Sequence, residues 1–234
     1  MFAKKSQTRS DAGFTLLELL IVISIIAILS VMLIIVINPA ETLKKSRDSQ
    51  RISDLNTLKT ALGIYTVSTS TPHLGGNMTD TACKNAAGAY IATSRIFYSF
   101  PSDGKGVAIT DATLDGGAAS VPAAGQVLTA NMANTDSTGW IPVNFSTLTS
   151  GSPISGLPFD PVNTIVGAPA NVAQSDLTYR YVCGVTGLTY ELDARLESLE
   201  FTVTNDKQGT DGGNNSGLYE VGTNIQLMGA GVDF

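Results

Sequence analysis

The chain has 234 residues and a net charge of −6, and it is 43% hydrophobic but only 15% charged, where about a quarter charged would be usual. An intrinsically disordered chain is excluded, since such chains are poor in apolar residues, and 14 basic against 20 acidic residues argue against a nucleic-acid binder. A zinc finger or zinc hydrolase built on histidines is excluded as well, because His73 is the sole histidine.

Residues 1–13, MFAKKSQTRSDAG, set Lys4, Lys5 and Arg9 against Asp11. That is the positive n-region of an export signal. From Leu19 to Ile37 there are nineteen residues without a charge, with only Ser24 and Ser30 polar. Both serines can return a hydrogen bond to the helix backbone. Counted from Phe14 the stretch reaches 24 residues, interrupted only by Thr15 and Glu18. As a helix it measures about 36 Å, against roughly 30 Å of bilayer hydrocarbon. An ordinary secretory signal ends in a small-x-small site after its apolar run. Here Asn38-Pro39-Ala40 follows, and the run is too long for a cleaved h-region, so the alternative cut lies before it, at Gly13/Phe14. Positive charge leaves orientation ambiguous, because Lys44, Lys45, Arg47 and Arg51 crowd the other flank. Low Lys/Arg content and two cysteines in the C-terminal part favour placing that part outside.

Glu18 is the anomaly of the span. A carboxylate there costs several kcal/mol (~3 on insertion scales) unless it is partnered or reaches the interface. One reading keeps Glu18 near the boundary, hydrated and merely tolerated. The other gives it a cationic partner: a cut after Gly13 creates an α-amino group four residues earlier. The pair could form within one chain, or between neighbours in a helical stack, where an unpaired glutamate would penalise misassembly.

The segment GFTLLELLIVISIIAIL resembles the N-terminal cleavage and methylation segment of type IV prepilins and type II secretion pseudopilins. The resemblance makes Gly13 the last leader residue, Phe14 the first mature residue and Glu18 the fifth. It implies cleavage after Gly13 by a membrane-embedded aspartyl prepilin peptidase, and N-methylation of Phe14. It also implies a long N-terminal helix, half protruding and half buried. One departure stands out. In type IV pilins a helix-breaking proline lies nearer mid-span, at the position of Ile35 here, whereas this chain has Pro39 at the membrane exit.

Asn38-Pro39-Ala40-Glu41 reads as a helix start, with an Asn cap and Pro in the first turn, or equally as a kink inside one long helix. Ile52, Leu55, Leu58, Leu62 and Tyr65 recur at spacings of three and four. Lys44, Arg47, Asp48, Arg51 and Asp54 fall on the opposite side. Residues 39–67 are thus expected to form an amphipathic helix packing its stripe on a globular domain. KKSRDSQRISDLNTLKTALGIY resembles the second half of the pseudopilin and pilin helix.

Over residues 69–234 Ser, Thr, Gly, Asn and Ala dominate, with 6 basic against 15 acidic residues. Tyr179–Cys183 and Leu188–Leu192 flank Gly184–Gly187 and predict a hairpin, the second run continuing through Ala194 and Leu196 toward Leu199–Val203. Ser94–Phe100 and Val107–Thr110 predict further strands, Ile141–Leu148 a strand or short helix, and 111–139 and 149–175 surface loops. GSPISGLPFDPVN and the Tyr-Arg-Tyr region resemble the globular part of pseudopilin-like proteins. The expected fold is α+β: a long N-terminal helix whose second half packs on a small antiparallel sheet of about four strands with long loops.

Cys83 and Cys183, an even pair in an exported domain, suggest one disulfide; two buried thiols are the alternative. His73 lies in a turn, is expected in a solvent-exposed loop and makes no convincing base for a catalytic cysteine. No nucleophile elbow, P-loop or dinucleotide fingerprint occurs. Glu191/Asp193 and Glu197/Glu200 are expected to face solvent. The loop from Asn205 to Asn215 clusters carboxylate and amide oxygens, which suits calcium through Asp206 and Asp211; it loosely resembles the calcium loop of the major pseudopilin. A flexible acidic turn is the alternative.

Four segments follow: a cleaved leader (1–13), a membrane and filament-core helix (14–38), an amphipathic helix (39–67) and an extracytoplasmic β-rich domain (68–234). The resemblance implies a non-enzymatic subunit of a type IV pilus or secretion pseudopilus, needing no cofactor, with calcium as the one candidate. Its partners would be further copies of itself, the prepilin peptidase, a membrane assembly platform and, before assembly, the bilayer. It would start in the cytoplasmic membrane of a bacterium and end in an extracellular or periplasmic filament. The competing reading is a membrane-anchored extracellular binding module with an uncleaved anchor.

Overall fold

The computed structural model describes residues 13–91, 93–103, 123–165, 172 and 174–229. The leader up to Ala12 and the expected strand Val107–Thr110 lie outside them. The chain divides into two compact units, Met1–Thr42 and Leu43–Phe234.

In the first unit, helix α1 runs Leu16–Ile37. Ser24 and Ser30 donate their hydroxyls to the carbonyls of Leu20 and Ile26, each at 2.7 Å, which hides the only two polar groups of the charge-free run. Helix α2 follows at once, Pro39–Ser68. The single residue between them, Asn38, takes φ 42° and ψ 74°. Asn enters this left-handed region because its short polar side chain can bond locally. Asn38 does so: its carbonyl and its Oδ1 both accept from the Glu41 N–H, at 3.1 and 3.4 Å. Pro39 has no N–H to lose at a helix start. Both readings of this segment therefore hold, a one-residue break and a fresh cap.

The second unit is built on a five-stranded sheet of order β2-β1-β3-β4-β5, with β1 Arg95–Tyr98, β2 Ala123–Gly125, β3 Arg180–Gly184, β4 Thr189–Ala194 and β5 Tyr219–Gly222. The four longer strands pair antiparallel, as expected. β2 adds a parallel edge, Arg95 opposite Ala123, inside a region read as loop; an Ala-Ala-Gly strand carries no alternation to detect. The predicted hairpin is β3–β4, with Tyr181 opposite Leu192 and Cys183 opposite Tyr190. β4 stops at Ala194, and Glu200–Thr204 forms one π-helical turn instead of continuing the strand. Ile141–Leu148 resolves as a 3-10 turn at Phe145–Thr147.

Strand residues alternate between two cores. Tyr179, Tyr181, Cys183, Tyr190, Leu192 and Ala194 join Leu55, Leu58, Leu62 and Tyr65 of α2 with Trp140 and Phe145. Ile96, Tyr98 and Val182 point the other way and meet Tyr90, Leu218, Leu227 and Met228. Both faces are thus covered, which corrects the expectation that Glu191 and Asp193 face solvent: both are buried. The C-terminal segment lies over their face, Glu191 Oε2 accepting the N–H groups of Leu227 and Met228.

The polar side of α2 needs the same correction. Asp48 and Arg51 are fully buried and Asp54 is half-buried. Arg51 grips Asp160 with two donors, Nε at 2.6 Å and Nη2 at 3.0 Å. Its Nη1 reaches Asp48 at 2.8 Å and Glu197 at 2.7 Å. Asp48 also accepts the backbone N–H groups of Glu197 and Ser198. Arg47 adds a second two-donor grip on Glu197, so Glu197 too is engaged rather than solvated. Burial alone would lower the Arg51 pKa, but Asp160, Glu197 and Asp48 outweigh it and hold the guanidinium above its ordinary value. The helix is seated by an ion-pair knot as well as by its apolar stripe.

Candidate processing and assembly site

Gly13 and Phe14 precede α1 in non-helical backbone, Phe14 being 86% exposed. A Cβ built on Gly13 would meet nothing within 4 Å. The bond expected to be cleaved therefore lies in exposed, non-helical backbone.

Thr15 caps the helix. Its Oγ1 accepts the Glu18 N–H at 3.2 Å, while Glu18 Oε2 accepts the Thr15 N–H at 2.9 Å and the Thr15 hydroxyl at 2.7 Å. This is a reciprocal capping box, which satisfies two donors that a helix start would otherwise leave unpaired. The expectation for Glu18 weighed solvent against an α-amino group and missed this partner. Thr-Leu-Leu-Glu, a Thr-x-x-Glu sequence before an apolar run, was the available signal. The box uses Oε2 and leaves Oε1 for a second donor.

Beyond the cap, every described side chain of α1 is exposed, Leu16, Leu29 and Val36 among them at 81%, 59% and 82%. Moving that many large aliphatic groups out of water is worth on the order of tens of kcal/mol, at about 1.5–3 kcal/mol each. A domain is stable by only about 5–15 kcal/mol. The helix therefore needs lipid or other helices around it. Among the described residues it is the one helix long and apolar enough to cross a membrane.

The remaining predicted residues are dispersed. Cys83 and Cys183 are joined by a disulfide, Cα–Cα 4.6 Å, across a sequence separation of 100. The bond ties the segment after α2 to β3, where the Lys84 N–H also donates to the Cys183 carbonyl at 2.8 Å. His73 is half-buried rather than free in a loop; its Nδ1 lies 3.1 Å from Asp80 Oδ2. Asp206 and Asp211 are occupied with backbone amides: Asp206 Oδ1 accepts the Gly209 N–H, and Asp211 accepts those of Gly213 and Glu220. Among the described residues no group of three or more His, Cys, Asp or Glu side chains is placed to hold a metal ion. Backbone amides thus brace both carboxylates.

Residues 8–34 match the prokaryotic N-terminal methylation motif. The match includes Gly13, Phe14, Thr15 and Glu18 and runs through most of α1. No curated protein and no solved structure matches the chain.

Proposed function

We propose, from an N-terminus of the type IV prepilin and pseudopilin kind, that this chain is a structural subunit of a type IV pilus or a type II secretion-like pseudopilus. Pilin-like proteins are structural, and the membrane-anchoring helix belongs to that role. In the proposed sequence of events the precursor sits in the cytoplasmic membrane with its globular domain outside. A prepilin peptidase cuts after Gly13 and methylates Phe14. The α1 helices then leave lipid and bundle with one another on an assembly platform. Lipid tails and a helix bundle are similarly apolar, so the transfer has little hydrophobic drive. Packing and the Glu18 carboxylate, set against the new amino terminus of a neighbour, would supply register.

The observation that carries the reading is the methylation motif continuing into a helix whose described side chains are nearly all apolar and exposed. Mass spectrometry of the native N-terminus tests it. N-methylated Phe14 is the expected result. An intact Met1 would overturn it in favour of an anchored binding module. Gly13→Lys should leave the precursor uncut; a mature Phe14 terminus in that variant would refute the assigned cleavage bond.

A further inference from the structure

Three carboxyls lie side by side on the sheet face away from α2: Glu191 and Asp193 of β4 and Glu220 of β5, all essentially inaccessible to water. Alternate strand residues share a face, and the pairing of Asp193 with Glu220 and of Glu191 with Gly222 makes them neighbours. Each keeps one oxygen satisfied. Glu191 Oε2 takes the Leu227 and Met228 amides, the latter at 2.8 Å. Glu220 Oε2 takes the Asn215 amide at 2.9 Å, and Asp193 Oδ1 takes Arg180 at 3.1 Å.

The second oxygens of all three, Glu191 Oε1, Asp193 Oδ2 and Glu220 Oε1, are buried and meet no N–H or O–H donor. Across the β4–β5 pair Glu191 is the diagonal neighbour of Glu220 on this face, a spacing that long side chains bridge, so the two carboxyls can meet. Two ionised carboxylates have no donor between them, so such a contact requires a proton on one of them. One proton would satisfy the orphaned oxygens of both glutamates at once. We propose that Glu191 and Glu220 share a single proton, and that this acid–carboxylate pair latches the C-terminal segment 224–229 onto the sheet, firmly in mild acid and loosely toward alkaline pH.

The latch has mechanical content. Leu227 and Met228 are core residues. Tyr90 donates to the Leu227 carbonyl at 3.2 Å, and Asn214 to that of Met228 at 2.9 Å. Repulsion between two ionised glutamates would displace the acceptor of both segment amides and open this second core. Charged groups of several elements lie around the pair. Facing it are Asp193 from β4, with Arg180 from β3 already on Asp193, and Asp211, whose Oδ2 accepts the Glu220 N–H at 2.7 Å. Lys59 and Lys207 line an open cleft with Asp211 and Glu220. Burial, reinforced by the neighbouring carboxyl, pushes Glu191 well above the ordinary carboxylate range, and burial pushes Glu220 up.

The sign follows from linkage. In the open state both glutamates titrate near their ordinary value of about 4.3. The closed state keeps one proton more above that pH, so protons favour closure. Closure weakens by up to about tenfold per pH unit until the closed pair itself ionises.

The test is hydrogen exchange of the peptide covering 224–229, in the full mature chain in detergent micelles, from pH 5 to 8 and corrected for the intrinsic rate. Wild type should lose protection by up to about tenfold per pH unit. Glu220→Gln carries a permanent donor toward Glu191 and should be close to flat. Equal slopes in the two proteins would overturn the proposal. A second readout needs no variant: isotope-edited infrared spectra of wild type should retain a glutamic-acid carbonyl band at pH 7. Absence of that band overturns the proposal. So does a calcium titration that restores protection at pH 8 and is reversed by chelator, since the pair would then hold a cation in place of the proton.

Discussion

Replacing Arg51 by Met tests whether the knot under α2 holds the fold. The side chain is nearly isosteric and fills the space, so the change removes charge and donors without opening a cavity. Arg51 supplies two hydrogen bonds to Asp160 and one each to Asp48 and Glu197. Asp48 and Asp160 are buried. Without Arg51 they keep only backbone donors: Glu197 and Ser198 for the first, Val162 and Asn163 for the second. Removing one partner from a buried ion cluster costs about 3–5 kcal/mol, because the remaining charges stay buried. With a urea m-value of about 2 kcal/mol/M, the midpoint should fall by roughly 1.5–2.5 M. Trp140, the single tryptophan, reports the transition; it is buried and donates Nε1–H to the Pro158 carbonyl, two residues from Asp160. Arg51→Lys keeps the charge but not the planar fork, and should lose about half as much. The reasoning is refuted if Arg51→Met moves the midpoint by less than about 0.5 M at an unchanged m-value. That is the behaviour of an exposed ion pair worth about 1 kcal/mol or less.

Reducing the Cys83–Cys183 bond, or replacing both residues by Ser, releases a loop of 100 residues. It should cost about 4–5 kcal/mol by chain entropy, read as a lowered thermal midpoint with and without reductant; coincident melts would refute this. Glu18→Gln keeps a capping-box partner for Thr15 but removes the charge, whereas Glu18→Ala removes both. If the carboxylate pairs with a neighbour's amino terminus, both variants are processed and both fail to build filaments under the electron microscope. Normal filaments from Glu18→Gln would reduce Glu18 to a cap. Asn38→Val forces a β-branched residue to φ 42°, at a cost of about 1–2 kcal/mol. Exchange of the Glu41 and Thr42 amides, both bonded to Asn38, should quicken about tenfold, while Asn38→Gly should leave it near wild type.

The elements legible in the sequence are those whose reason is local. Helix α1 is apolar at nearly every position, so length and hydropathy suffice. The leucines and Tyr65 of α2 repeat every three or four residues and find the core face. The β3–β4 hairpin alternates around a glycine-bearing turn. What escaped has its reason elsewhere in the chain. Arg51 and Asp48 look like a solvated face because a periodicity argument assigns charge to the outside. The partners that allow their burial sit at Asp160 and Glu197, 109 and 146 positions from Arg51. Glu191 and Asp193 read as outward for the same reason, since the residues covering them, Leu227 and Met228, return only at the end of the chain.

The Thr15–Glu18 box is the opposite case, a local signal overshadowed by a more conspicuous one. A lone glutamate in an apolar run invites a search for a distant cation, yet its nearest donors are three residues away. The two roles are compatible. The proposed cleavage after Gly13 would leave the Phe14–Thr15 amide intact, so the Thr15 N–H and hydroxyl would go on holding Oε2. That fixes the carboxylate at the first turn of α1, directed toward the chain's own start. Oε1 is then presented in a set orientation to whatever ammonium approaches. Holding an acceptor in place beforehand reduces the ordering cost of an ion pair. If Glu18 pairs with an amino terminus as proposed, the cap would make it a better partner than a freely rotating glutamate, and Thr15→Val, which keeps the backbone N–H but loses the hydroxyl donor, should weaken assembly while leaving Glu18 itself in place.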